Sequence, residues 1–219
     1  MLRIQGFRAA ALTLIAFALV HSPASSGAAE SPGAAESPAA QDRLASCDAK
    51  VALAAVQEII SRPESLEEPM ELFSVAPPLF HHGQKDEAVF WFYAAQLRTR
   101  YQLVFEQGDR GQLFQIMLMS IGPLINSYAF QDVSKLDRPL DRVLEWDRTT
   151  PNPYREKPRS AAIERQIEQV YAGLRDMKVK LVSGKDDLER NARLTAPEME
   201  RAYADAVKGR CSKDQVKGR

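Results

Sequence analysis

From Gln41 onward the apolar residues of this chain recur at the spacing of an α-helix almost without interruption. One face of a helix is marked by apolar positions at i, i+3, i+4 and i+7, whereas a half-buried strand alternates. Only residues 177–182 alternate here, so the pattern predicts an all-α fold: a compact multi-helix domain of about six to seven helices. The first stripe holds Leu44, Cys47, Val51, Ala55 and Ile59, widened by Leu53, Val56 and Ile60, and it stops at Ser61-Arg62-Pro63. A capping box, Ser65-x-x-Glu68, predicts the start of a second helix, which Pro77-Pro78 should kink or shorten. The longest helix is expected over 85 to about 107. Residues 112–130 (QLFQIMLMSIGPLINSYAF) are apolar nearly all round, as a central core helix would be, with a break at Gly122-Pro123. A further helix is expected over 133–147 and a proline-rich loop over 149–160. Ile163, Ile167, Val170, Tyr171 and Leu174 then give an amphipathic helix. Residues 177–182 read as an extended piece, and Thr195-x-x-Glu198, with Pro197 in its first turn, as the opening of the final helix.

The N-terminal residues read as an address. Arg3 and Arg8 precede the apolar run 9–20, and 21–29 are small and polar. This is the layout of a secretory signal peptide over 1–29, and the run is too short for a bilayer span of roughly 20 residues. The mature chain is therefore expected to be periplasmic or secreted, without an integral membrane span. A low-complexity, disordered linker follows over 30–40, in which AAESP recurs, then a single helical domain over 41–211 and a basic disordered tail over 212–219. Two cysteines in an exported chain, Cys47 and Cys211, predict one disulfide joining the first helix to the last. Leu44-Ala45-Ser46-Cys47 matches a lipobox, but Gln41, Asp42 and Arg43 separate it from the apolar run, so lipidation is not expected.

No catalytic set is visible. The 29 basic and 29 acidic residues balance, which gives no basic face for a nucleic acid. His81 and His82 are adjacent and so diverge on a helix, and no metal-binding spacing is present. Asp137, Asp141 and Glu145 share one helix face with Arg138 and Arg142 interleaved, which is the pattern of a solvated face. No phosphate-binding loop or nucleophile motif occurs. The chain is therefore read as a non-enzyme with no cofactor and no metal.

The stretch Gly83-x4-Ala88-x3-Phe92-x2-Ala95 has the small–large rhythm of closely packed helices. With Leu72, Val75, Ala76 and Leu79 in the preceding helix, it resembles a single tetratricopeptide or Sel-type helical hairpin over about residues 69–100. Ala76 and Leu79 stand where that pattern favours glycine and tyrosine, and only one repeat length is covered. The resemblance implies binding of a protein or peptide. Four consecutive aromatics, Phe90 to Tyr93, cannot share one stripe, so either the helix is buried on several sides or one aromatic side is a binding patch. Trp91 and Tyr93 are the candidates for such a patch. Thr149, Thr150, Asn152 and Tyr154 are candidates on the proline-rich loop. Together these readings predict an exported module acting through a protein partner, of inhibitor or immunity type. The alternative is a carrier of a small apolar ligand or lipid, with the run 113–119 lining a helical cavity.

Overall fold

The computed structural model describes residues 39–62, 64–106 and 108–217, so the expected leader and nearly all of the expected linker lie outside the described residues. Nine α-helical segments and three short 3-10 segments follow one another, with no strand among the described residues. They are α1 (Ala40–Arg43), α2 (Ala49–Ser61), α3 (Glu64–Glu67), a 3-10 segment Pro69–Val75, α4 (Ala76–His81), α5 (Lys85–Phe105) and α6 (Asp109–Ala129). A 3-10 segment Val133–Leu136 leads into α7 (Asp137–Thr149), and another, Pro153–Glu156, precedes α8 (Ala161–Ser183) and α9 (Lys185–Lys217).

Local chemistry sets several boundaries. Asp48 caps α2, its Oδ1 accepting from the Lys50 amide at 2.7 Å, so α2 starts after Cys47. Gly83 ends α4 with φ +82°, a value that glycine adopts without strain, while Gln84 N donates back to Leu79 O at 2.8 Å. Ser160 caps α8 by accepting from Ile163 N at 3.3 Å.

The axis of the fold is α5. It packs against the Pro69–Val75 segment and against α4, α6, α7 and α8, so its buried residues, from Ala88 to Gln102, run round the whole helix. Phe90, Phe92 and Tyr93 are all buried, which decides the aromatic run in favour of core. Leu72, Val75, Ala76 and Leu79 are buried in the same core cluster as Ala88, Phe92 and Ala95. Gly122 of α6 makes room for Phe92: a Cβ there would lie 3.3 Å from Phe92 Cζ.

Several expectations are corrected. No capping box forms at Ser65, whose hydroxyl donates to Glu71 at 3.3 Å while Glu68 pairs with Arg110. Pro77 and Pro78 do not kink a long helix; they sit in the first turn of α4, where a missing N–H costs nothing. The run 112–130 is core mainly in its second half, with Phe114 the buried residue of the first. Ile121, Leu124 and Ile125 are buried, but Leu113, Ile116 and Met119 are 44%, 58% and 77% exposed, because α9 covers only part of α6. The alternation at 177–182 stays helical, since Met177 and Leu181, four apart, face the core. Thr195 opens no helix. It lies inside α9, its hydroxyl bonded back to Asn191 O at 3.0 Å, and Ala192 and Ala196 hold that stretch against its neighbours. Because α9 continues to Lys217, most of the expected tail is helical too.

The disulfide forms as expected, Cys47 to Cys211 with Cα atoms 5.8 Å apart, joining the turn before α2 to the last turns of α9. Among the described residues no helix is long and apolar enough to cross a membrane.

Candidate functional site

Two helices, α5 and α8, meet without filling the space between them. Tyr93, Gln96, Leu97, Arg100, Leu103 and Val104 recur at helical spacing along one face of α5. Gln166, Gln169, Val170, Gly173, Leu174 and Met177 do the same on α8. Between the two faces lies a groove of about 510 Å³. Eleven residues of rise along α5 give it a length of about 16 Å. Its floor is buried Tyr93 and Leu97, and its walls are half-buried Leu103, Val104, Val170, Leu174 and Met177. Gly173, an exposed position on the groove lining, has open space around it: a Cβ there would meet no neighbouring atom within 4 Å.

The polar groups of the groove are Tyr93, Gln96 and Arg100 on α5 and the exposed Gln166 and Gln169 on α8. Tyr93 donates its hydroxyl to Asn126 Oδ1 at 2.9 Å, and burial raises its pKa far above the ordinary phenol value. Gln96 presents a buried Nε2 with no hydrogen-bond partner, while its Oε1 receives a long 3.5 Å contact from Arg100. Arg100 sits with its guanidinium 5.1 Å from the centre of the Phe114 ring. Partial desolvation of the guanidinium pulls its pKa below the ordinary value, although the residue as a whole is exposed, and among the described residues no carboxylate lies within ion-pair distance of it. The groove thus combines apolar walls with an exposed arginine that has no carboxylate partner, one buried amide donor without an acceptor, and two exposed glutamines on α8.

The candidate partner-binding residues fall in five places. Tyr93 belongs to this groove, as floor. Trp91 is half-buried, its ring edge-on to Phe90 at 5.0 Å and to Trp146 at 5.6 Å, so it is more wedge than patch. Thr149 is exposed and bonds back to Glu145 O at 2.9 Å. Thr150 and Asn152 line a second cleft with Trp146, Ile60 and Leu66. Tyr154 is only 6% exposed, its hydroxyl accepting from Gln102 Nε2 at 2.8 Å and donating to Glu67 O at 3.3 Å. Asn152 is equally buried, which makes residues 150–156 an anchored turn and not a projecting loop.

The anchor is Arg98, which the sequence reading passed over. It lies on the opposite side of α5 from Arg100, since two residues turn a helix by about 200°. Arg98 Nε donates to Asp147 Oδ1, and its terminal nitrogens donate to Pro151 O at 2.8 Å and Thr150 O at 3.0 Å. Arg155 at 2.7 Å and the Tyr171 hydroxyl at 2.7 Å complete the coordination of Asp147. A basic residue inside a strongly apolar helix is the signal that could have found it.

The remaining candidates make surface contacts. Asp141 is bonded to Lys178 at 2.6 Å and Glu145 to Arg148, a salt-bridged surface face. His81 and His82 touch edge-on at 4.7 Å. Among the described residues no three His, Cys, Asp or Glu side chains are grouped to hold a metal ion. No family model, no curated protein and no solved structure matches this chain.

Proposed function

We propose that the protein is an exported binding protein for a small amphiphile with an acidic head, carried in the groove between α5 and α8. One observation supports this above the others: a slot of about 510 Å³ walled by apolar side chains, with Arg100 unpaired at its side. Small-molecule sites are concave, mostly apolar, roughly 300–1,000 Å³ in volume, and oriented by a few polar groups. A carboxylate or similar anion on the ligand would neutralise Arg100 and accept from Gln96 Nε2, two groups the protein itself leaves without such partners. An alkyl body would cover the half-buried walls and add the apolar burial that the two helices do not give each other. This is the carrier reading moved from the 113–119 run, whose side chains line no part of the groove. The leader-like N-terminus and the disulfide support action outside the cytoplasm. The protein-partner reading draws its support from a different place, the cleft beside Asn152.

The test is calorimetric titration of the oxidised protein with dodecanoate and with dodecanol. Both should bind. Arg100→Gln should weaken dodecanoate about tenfold and leave dodecanol nearly unchanged. Gly173→Leu, which puts a side chain into the open space of the groove, should abolish both without loss of melting temperature. If Gly173→Leu binds dodecanoate as well as the native protein does, the groove is not the site. Native mass spectra of freshly purified protein, showing no retained adduct, would also count against a carrier.

A further inference from the structure

The second cleft sits where the end of α2 and α3 approach α7 and the turn that follows it, and it encloses about 510 Å³. Its apolar surface is Trp146, Ile60, Leu66, Pro151 and Pro153. The turn that forms one wall is held rigid from behind. Arg98 and Arg155 both donate to Thr150 O, Arg98 also to Pro151 O, and both reach Asp147 O. The carbonyls of this turn are therefore used internally, and a ligand meets its donors. A wall fixed before binding loses little freedom on binding.

Asn152 carries the inference. It is 6% exposed and lines the cleft. Its Oδ1 accepts from the Tyr154 amide at 3.0 Å, which fixes the orientation of the side-chain amide and turns the donor end the other way. That donor, Nδ2, is buried and has no partner. Arg62 repeats the theme on the facing wall: a terminal nitrogen pairs with Glu71 at 3.1 Å, but Nε is buried without an acceptor. Two buried donors without acceptors bordering one cleft call for an occupant that brings carbonyl oxygens. The charges on the rim have a sign as well. The cations Arg62 and Arg155 are engaged by Glu71 and Asp147, whereas Glu67 and Glu156, both exposed, have no cation within ion-pair distance among the described residues. An occupant must then combine carbonyl acceptors, an apolar body for the Trp146 face and a positive charge for the rim.

An extended polypeptide has all three. We propose that this cleft docks an extended segment of a partner protein that carries a lysine or arginine beside an apolar residue or proline. A backbone carbonyl of the segment accepts from Asn152 Nδ2, a neighbouring apolar side chain lies on Trp146, and the cation faces Glu67 and Glu156. This site is separate from the α5–α8 groove, shares no residue with it, and does not depend on what the groove binds.

The experiment is selection from a random heptapeptide phage library on the immobilised, oxidised protein, followed by synthesis of the enriched peptides. Enriched sequences should carry Lys or Arg next to Leu, Ile, Val or Pro. Titrating such a peptide into ¹⁵N-labelled protein should move the side-chain amide signals of Asn152 and the indole signal of Trp146. Dodecanoate should leave both in place. Glu67→Gln combined with Glu156→Gln changes only exposed side chains and should lower affinity about tenfold, with most of the loss disappearing at high salt. Asn152→Ser keeps an oxygen to cap the Tyr154 amide but replaces the Nδ2 donor with the hydroxyl of a shorter side chain, which does not reach the same acceptor, and should also cost about tenfold. Three results would overturn the proposal: a selection that returns no sequence above an irrelevant control protein; enriched peptides that bind the Glu67→Gln, Glu156→Gln variant as tightly as native protein; or movement of the Asn152 signals by glucosamine oligomers and by no peptide, which would assign the cleft to saccharides.

Discussion

Arg98→Met should be the most damaging polar substitution in this protein. Its side chain and that of Asp147 are 1% and 2% exposed, so the pair is closed off from water. Removing one partner of such a pair typically costs about 3–5 kcal/mol, because a buried charge is left behind. Here Asp147 keeps Arg155 and the Tyr171 hydroxyl, each at 2.7 Å, which places the cost near the lower end, about 3 kcal/mol. The loss of donors to Pro151 O and Thr150 O adds little, because Arg155 still reaches Thr150 O at 3.2 Å and Pro151 is exposed to water. Urea unfolding of the oxidised protein, followed by ellipticity, is the assay. With a slope of roughly 2–3 kcal/mol per molar urea, the midpoint should fall by about 1 M or slightly more. The double variant Arg98→Met, Asp147→Leu should be less destabilised than the sum of the two singles, with a coupling of about 2 kcal/mol. A midpoint shift under about 0.3 M for Arg98→Met, or strict additivity in the double variant, would refute the view that this pair fastens the 150–156 turn to α5.

Other consequences are equally direct. Reduction of Cys47–Cys211 opens a loop of 164 residues, and chain entropy sets an upper bound of about 5 kcal/mol on the lost stability, to be read as a lower urea midpoint in reductant. Phe92→Ala should cost about 3–5 kcal/mol, since Phe92 is 1% exposed and fitted to Gly122, whereas half-buried Trp91→Ala should cost clearly less; equal losses would contradict the packing. Ile116→Asn should shift the melting midpoint by no more than a degree or two, because the side chain is 58% exposed; collapse of the fold would show that this half of α6 is covered in solution. His81 is held below its ordinary pKa of 6.5, first by burial and then by His82 and Arg210. The folded state therefore takes up its proton less readily than the unfolded chain. Its contribution to stability is present above about pH 6.5 and lost as pH falls below that value, so the acid-side decline should be shallower in His81→Gln.

Helical periodicity reports which face of a segment is apolar, and it located α5, α7 and most of α8 with little error. It does not report which segment is central. The run 112–130 is more continuously apolar than 85–105, yet α5 is the axis and half of α6 is exposed. The deciding property was the distribution of buried polar groups. Arg98 and Gln102 are buried in α5, at 2% and 0% exposure, and their donors are met by Asp147, by the carbonyls of the 150–151 turn and by Tyr154, partners that only a surrounded helix finds. Proline was misleading in the same way. Pro77 and Pro78 fall in the first turn of a helix and Pro197 falls within one, and only the surrounding contacts separate those cases.

The groove was hidden for a related reason. Val170, Leu174 and Met177 form a regular apolar stripe, and a stripe looks the same whether its partner fills the interface or stands off from it. Two departures from regularity did mark the site in the sequence. Gly173 sits inside an otherwise good helix, at a cost of about 1 kcal/mol relative to alanine, which generally has a packing or functional cause. Gln96 and Arg100, four residues apart, interrupt the apolar face that Tyr93, Leu97 and Val104 would otherwise complete. Each departure alone is ordinary. Placed opposite each other, a missing side chain on α8 and a polar pair on α5 make a space with a charged end. That combination argues for an occupant more strongly than the volume alone, because the buried Gln96 Nε2 has no acceptor within the protein and Arg100, exposed beside it, has no carboxylate partner among the described residues.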